Sequence, residues 1–266
     1  MLNICRSSYY DWLQNPIGIR KKEDIKLKQK IVKIFVDNRN VYGIRRVQKV
    51  LQKDDIVVSQ RRISRLMKEE GLSCKTKKKF KATTDSKHNN SISPNLLKRQ
   101  FNVCRANQYW VGDITYIHTA QGWLYLAVVI DLYSRQGVGW SMSKNIDAKL
   151  VNEALLMAIW KRKPKKGLIW HTDRGSQYAS NSHRQILADH GIKQSMSQKG
   201  NCWDNAVAES FFHTLKTEAT EHYKFKNQEE AKNVILEYIE VFYNRKRLHS
   251  SNGYLSPVQF EQVNHI

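Results

Sequence analysis

The sequence predicts an α/β protein with a small all-α domain in front of it, and three observations carry that prediction. The periodicity of apolar residues changes along the chain. Residues 23–71 repeat them at helical spacing, whereas the stretch after Tyr109 alternates short β-rich runs with helical patterns. The charge is also uneven. The 266 residues hold 45 Lys and Arg against 24 Asp and Glu, a formal +21; residues 1–105 hold 26 against 9, and residues 106–266 hold 19 against 15. An excess of +17 in the first 105 residues points to a polyanionic partner, and the nearly balanced remainder points to chemistry. Finally, Asp113, Asp173 and Glu209 fall in an apolar strand-like run, just after another, and inside a helical pattern. A hydrophobic content of 41% with 10% aromatics excludes a disordered chain, and the length suits two domains.

Residues 1–22 are expected to form an N-terminal segment, in which SSYYDWLQNP reads as the tail of a short helix ending near Pro16. Residues 23–71 are expected to form a helix-turn-helix domain. Ile31, Ile34 and Phe35 mark its first helix, and Ile44, Val47, Val50 and Leu51 its second. Ile63, Leu66 and Met67 mark the third, between a Ser59 N-cap and a Gly71 stop. Arg45, Arg46, Arg61, Arg62 and Arg65 are its candidate DNA contacts, against the plainer reading of a helical bundle with solvated arginines. Residues 72–105 read as a basic linker, with five Lys in the ten residues from Lys75, suited to tracking a phosphate backbone.

The catalytic core is expected over 106–220. WVGDITYIHT reads as a strand with Val111, Asp113, Thr115 and Ile117 on one face, and GWLYLAVVIDLYSRQGVGWSMS as two strands turning near Ser134 and Arg135. A helix over 147–162, the strand GLIWHTD, a helix over 180–190, the strand IKQSMSQ and a helix over 204–219 follow. Three strands, helix, strand, helix, strand, helix is the order of a ribonuclease-H-like domain with a mixed five-stranded sheet. Residues 221–266 are expected to add a helical extension. Ala231, Val234, Ile235, Tyr238 and Phe242 line one long helix, and Ser256 and Pro257 start a last short one.

Three carboxylates in one pocket repel one another unless a cation holds them, so their natural content is a hard divalent metal with oxygen ligands. Carboxylate-held magnesium pairs serve in-line attack on phosphodiesters. Nearby residues have plainer expected roles. Asp131 reads as a turn initiator, Asp204 as an N-cap, His171 as structural, and Asn205 and Ser210 as positioning groups; His213 is open between a phosphate contact and packing.

The blocks WVGDITYI, HTDRGSQY and GNCWDNAVAESFFHTLKTE, with YGIRRVQKVL before and YNRKRLHSSNGYLSPVQF after, resemble insertion-sequence transposases built on the retroviral-integrase core. The resemblance is to the second-reading-frame protein of the insertion-sequence-three family, and it covers nearly the whole chain. It implies a DNA transposase that nicks its element's inverted ends and transfers the 3′-hydroxyl to target DNA. Asp113, Asp173 and Glu209 would be its catalytic and metal-binding triad, around two magnesium ions with manganese as a substitute. It also implies a homo-oligomer on double-stranded DNA and an upstream-frame protein or frameshift fusion as partner. Lys216 resembles the family's basic residue near donor DNA, against a merely solvated lysine. Arg245 and Arg247, in a YNxxRxH-like pattern, are candidates for backbone contact or for a structural cap. The competing class is a DNA-binding repressor, or an inactive transposase derivative, using only the basic N-terminal part. A ribonuclease H would share fold and metals but not these blocks. Cys5, Cys74, Cys104 and Cys202 form no CxxC pair, no apolar run spans a bilayer, and a cytoplasmic protein is expected.

Overall fold

The computed structural model describes residues 5–14, 18–75, 92–198 and 202–264. The chain divides into two compact units, residues 1–75 and 76–266. The first holds helices α1 (Arg6–Gln14), α2 (Ile19–Asp37), α3 (Ile44–Lys53) and α4 (Gln60–Glu69). Its core is Leu27, Ile31 and Phe35 from α2, Val47 and Leu51 from α3, and Ile63, Leu66 and Met67 from α4; of the expected stripe Ile34, Ile44 and Val50 are half-buried, and Leu27 lies outside it. The Ser59 hydroxyl accepts from the Arg62 amide at 3.2 Å, satisfying a first-turn donor of α4. Helix α2 begins at Ile19, so the expected domain start at residue 23 falls inside it.

In the second unit, strands β1 (Tyr109–Thr119), β2 (Gly122–Asp131), β3 (Gly137–Ser143), β4 (Ile169–Thr172) and β5 (Lys193–Met196) form one sheet in the order β3-β2-β1-β4-β5. The first three are antiparallel neighbours; β1 with β4 and β4 with β5 are parallel, as their helical crossovers require. Those crossovers are α5 (Ala148–Arg162) and α6 (Asn181–Asp189). One sheet face buries Trp110, Ala127 and Val129 beneath Leu150, Ala154, Leu155 and Ala158 of α5. The alternate residues of β1 are buried Val111, Thr115 and Ile117, with a half-buried Asp113 among them. Helices α7 (Ala206–Leu215) and α8 (Gln228–Glu237) also pack on this strand.

Two glycines permit the close approaches. A Cβ on Gly139 would lie 2.2 Å from the Ala154 carbonyl of α5, and one on Gly112 would lie 2.1 Å from the Trp170 indole. The residue beside Asp113 therefore has to be small for β4 to pack there.

The expected linker over 72–105 divides. Residues 76–91, with most of its lysines, lie outside the described residues. Residues 92–105 belong to the second unit instead. The Pro94 carbonyl accepts from the Met196 amide at 3.4 Å, the Leu96 amide donates to Ser195 Oγ at 2.9 Å, and Leu97 is fully buried.

Helix α7 runs on into a π-helical turn (Lys216–Thr220), and α8 into another (Tyr238–Tyr243). Helix α9 (Pro257–Val263) starts with a Ser256–Gln259 capping box. Its Glu261 accepts from Ser134 Oγ at 2.6 Å and from Arg162 Nη1 and Nη2 at 2.7 and 2.8 Å. Among the described residues no helix is long and apolar enough to cross a membrane.

Candidate active site

Asp113 and Asp173 leave neighbouring parallel strands at the same level. Val111 pairs with His171, the last rung of the β1–β4 ladder, and each aspartate stands two residues further on. Side chains two apart on a strand share a face, so both carboxylates continue the row of Val111 and His171 past the ladder's end. The carboxyl ends of parallel strands are where open α/β sheets leave a crevice. Asp113 Oδ1 accepts from the Ile114 amide at 2.8 Å and Asp173 Oδ1 from the Gly175 amide at 2.9 Å.

Glu209 is brought in by α7. The helix start is tied to β1 through Asn205, whose Nδ2 donates to the Gly112 carbonyl at 3.1 Å. Asp204, expected as an N-cap, instead clasps two segments with three bonds: it accepts from the Gln198 amide at 2.9 Å, Asn95 Nδ2 at 3.0 Å and Arg99 Nε at 2.8 Å. Helix α7 begins at Asn205 without a side-chain cap, so the Asp204 carboxylate serves the loop and not the helix dipole.

Burial pushes the Asp113 carboxyl well above the ordinary carboxylate range. Asp173 adds to the rise and Glu209 adds again, against the Ile114 amide and Lys216. Burial raises Glu209 as well. Asp113 and Asp173 are half-buried, and Glu209 is exposed. Among the described residues no three His, Cys, Asp or Glu side chains are already gathered as metal ligands. The three carboxylates are thus electrostatic neighbours around a partly desolvated aspartate, the arrangement a hard cation would relieve.

The surrounding candidates sort by what they touch. His171 is buried between Ser195 Oγ at 2.8 Å and Ser197 Oγ at 3.1 Å, and burial lowers it to about 4. It is structural, as expected. Asp131 is fully buried in its turn, accepting from the Tyr133 and Asn107 amides at 2.9 and 2.7 Å, and burial raises it to about 6. His213 and Ser210 are exposed on α7. Lys216 is half-buried with its Nζ 4.7 Å over the Tyr116 ring.

The arginines offered as DNA contacts divide. Arg45 and Arg61 are exposed, and so is Arg245 in the second unit. Arg46 lies over Tyr42, 5.4 Å from the ring centroid. Arg62 and Arg65 turn back to α2. Arg62 Nε donates to Asp24 Oδ1 at 2.8 Å, and Arg65 bonds the other Asp24 oxygen and donates to Glu69 at 2.7 Å. The Arg65 bond leads in holding Asp24 below the usual carboxylate range. Arg247 is buried. Its Nε and Nη2 each reach Glu218 at 2.8 Å, and Tyr238 Oη donates to the same carboxylate at 2.8 Å. Of the two readings of Arg247, the structural one fits, because a guanidinium so enclosed has no face left for a phosphate.

The matching family models agree with this architecture. The family described as "Integrase core domain" matches residues 104–202 and, in a second description, 209–264, and an "HTH-like domain" matches residues 21–80. The "Insertion element IS600 uncharacterized 31 kDa protein" of Shigella sonnei is 46% identical over 265 residues, covering 100% of this chain and 97% of its own. "Transposase InsF for insertion sequence IS3A" of Escherichia coli (strain K12) is 40% identical over 266 residues, covering 99% of this chain and 92% of its own. Among solved structures, the catalytic core domain of BIV integrase aligns at TM-score 0.45 and 18% identity, over 60% of this chain and 97% of that one.

Proposed function

Since this chain belongs to the IS3 family of insertion-sequence transposases, with an integrase core behind an HTH-like domain, we propose that it cuts its element's ends and joins the freed 3′-hydroxyl to new DNA. The observation that carries the reading is the position of Asp113. It is a carboxylate on the central strand, in a row otherwise of buried residues, and it is raised further by Asp173 and Glu209. A fold seldom keeps such an arrangement unless function requires it.

Asp113, Asp173 and Glu209 would hold two magnesium ions, with manganese as a substitute; an all-carboxylate donor set suits a hard cation. When bound, the pair supplies an activated water for the first cut and takes up charge on the leaving 3′ oxygen. The chain's own contribution is placement. The Gly175 amide orients Asp173, the Asn205–Gly112 bond sets α7 against β1, and the Asp204 clasp fixes the loop leading into that helix. His171 is locked between two serines, so no protein base is needed or offered there. In the joining step a DNA 3′-hydroxyl stands where water stood. The substrates are the element's inverted ends and double-stranded target DNA. Two ends must be brought together, so the acting unit is a homo-oligomer, with an upstream-frame protein or fusion as its partner.

The test is divalent-metal-dependent nicking and strand transfer on a labelled element end, wild type against Glu209→Gln. The substitution abolishes both reactions and leaves duplex binding intact. A wild-type chain that binds but never nicks, even when fused to its upstream-frame portion, would return the repressor reading to first place.

A further inference from the structure

A groove at the far end of the β1–β2 hairpin is not used by the three carboxylates. It encloses about 570 Å³ and is lined by, among others, Tyr116, His118, Trp123, Lys216, Tyr223 and Lys224. Trp123 is 47% exposed and Tyr223 49% exposed, so two large aromatic side chains show half their surface within one concavity. Both are held from behind. Tyr116 and His118 meet Trp123 edge-to-face, each with ring centroids 5.1 Å apart, and Phe225 stacks on Tyr223 at 5.8 Å and 10°. Single exposed apolar residues are ordinary, but two braced aromatic rings flanked by two lysines, against the one carboxylate of Glu221, are a different surface.

Its position narrows the ligand. Tyr116 lies three residues beyond Asp113 on β1, about 10 Å at ~3.3 Å per residue and on the opposite face of the strand. Lys216 joins the two places: its ammonium sits over Tyr116, and it follows Glu209 by seven residues, two turns along α7 into its continuation. A strand processed at Asp113 therefore reaches the groove within a few nucleotides at ~3.4 Å per stacked step. Paired bases keep their faces inside the duplex and offer only edges, whereas an unpaired base offers a face to stack. Aromatic platforms with flanking lysines are the chemistry of unpaired nucleotides.

We propose that this groove binds an unpaired nucleobase of the DNA strand being processed. The base stacks on Trp123 or Tyr223, with Lys216 and Lys224 on the adjoining phosphates. The proposal rests on the reading of Asp113 as part of the reaction centre.

The probe is a duplex with a short oligothymidine 3′ tail containing one 5-iodouracil, irradiated with the full-length chain and mapped by mass spectrometry. Cross-links at Trp123 or Tyr223 are expected. The ratio of tailed-duplex to blunt-duplex affinity falls about ten-fold in Trp123→Ala and largely recovers in Trp123→Phe. Cross-links confined to other peptides, or a ratio unchanged in both Trp123→Ala and Tyr223→Ala, would overturn the proposal and leave the groove to a protein contact. Asp113→Asn keeps the cross-link while losing nicking, so failure of the groove and failure of the carboxylate reading give different results.

Discussion

Two carboxylates of the second unit, Glu218 and Asp113, meet opposite surroundings. Glu218 is buried, yet its oxygens accept from the Arg247 guanidinium and from the Tyr238 hydroxyl. Asp113 is half-buried, and the charges that bear on it most are two further carboxylates. A buried charge that is matched holds a structure together, and one that is aggravated marks a place where something else must bind. The same contrast separates arginines in the first unit. Arg62 and Arg65 are matched by Asp24 and belong to the packing of α4 on α2, while Arg61 on the same helix is exposed.

Breaking the matched pair should have the largest effect on stability. Arg247→Met leaves Glu218 buried without its counter-ion and lowers the unfolding free energy of the second unit by about 3–5 kcal/mol. Urea titration followed by tryptophan fluorescence reads this, since six of the chain's seven tryptophans lie in that unit. Adding Glu218→Leu to Arg247→Met should restore part of the loss, because it removes the uncompensated charge but takes the carboxylate acceptor from the buried Tyr238 hydroxyl. Failure of that rescue would mean that the ion pair does more than balance charge.

Acid comes next. His183 is fully buried as the neutral ring: its Nδ1 donates to Asn152 Oδ1 at 2.7 Å and its Nε2 accepts from Trp170 Nε1 at 2.9 Å. Burial lowers it to about 4 from an ordinary 6.5. The unfolded chain therefore takes up its proton first as pH falls. The stabilisation is complete above pH 6.5 and is lost progressively down to about pH 4, by roughly 3 kcal/mol. His171, lowered to the same value, loses stability across the same window and Asp131 opposes it, so wild type is compared with His183→Gln; an equal fall of the urea midpoint in both would show that the site admits the charged ring. The smallest effect sharpens the contrast from the other side. Asp113→Asn, compared with wild type in the presence of a chelator, removes an aggravated charge, so thermal unfolding should move slightly upward at neutral pH while nicking is lost. A clear fall in melting temperature would show that Asp113 is structural.

Much of this was legible in the sequence because it depends on short spacings. The helical stripes of α2 to α4, the alternation along β1 and the caps at Ser59 and Ser256 are each set within a few residues. The Asp113, Asp173 and Glu209 blocks were legible as family motifs. What was missed joins residues distant in the chain. Arg247 finds Glu218 across 29 positions and Arg65 finds Asp24 across 41, and no local period encodes either pair. A clue to Glu218 was present, since it follows Phe211 and Leu215 by seven and three residues and so shares their buried side of the helix. Residues 92–105 read as linker because the basic, aperiodic run from Lys75 carried the assignment across them, although six of these fourteen residues are apolar. Their anchoring to β5 and Asp204 is made by single hydrogen bonds that composition does not show.

The capped helix α9 carries a lesson for anyone editing this chain. Glu261 is the counter-ion of Arg162, and Ser134 in the β2–β3 turn donates to the same carboxylate. Removing residues from Pro257 onward would thus do more than trim a tail. It would take one carboxylate from a guanidinium that keeps Asn107, Gln136 and Asp131, and it would take the acceptor from the Ser134 hydroxyl, so the damage would surface at the β2–β3 turn, more than a hundred positions from the cut. Fusions and tags that must spare the fold are better joined after this helix than in place of it.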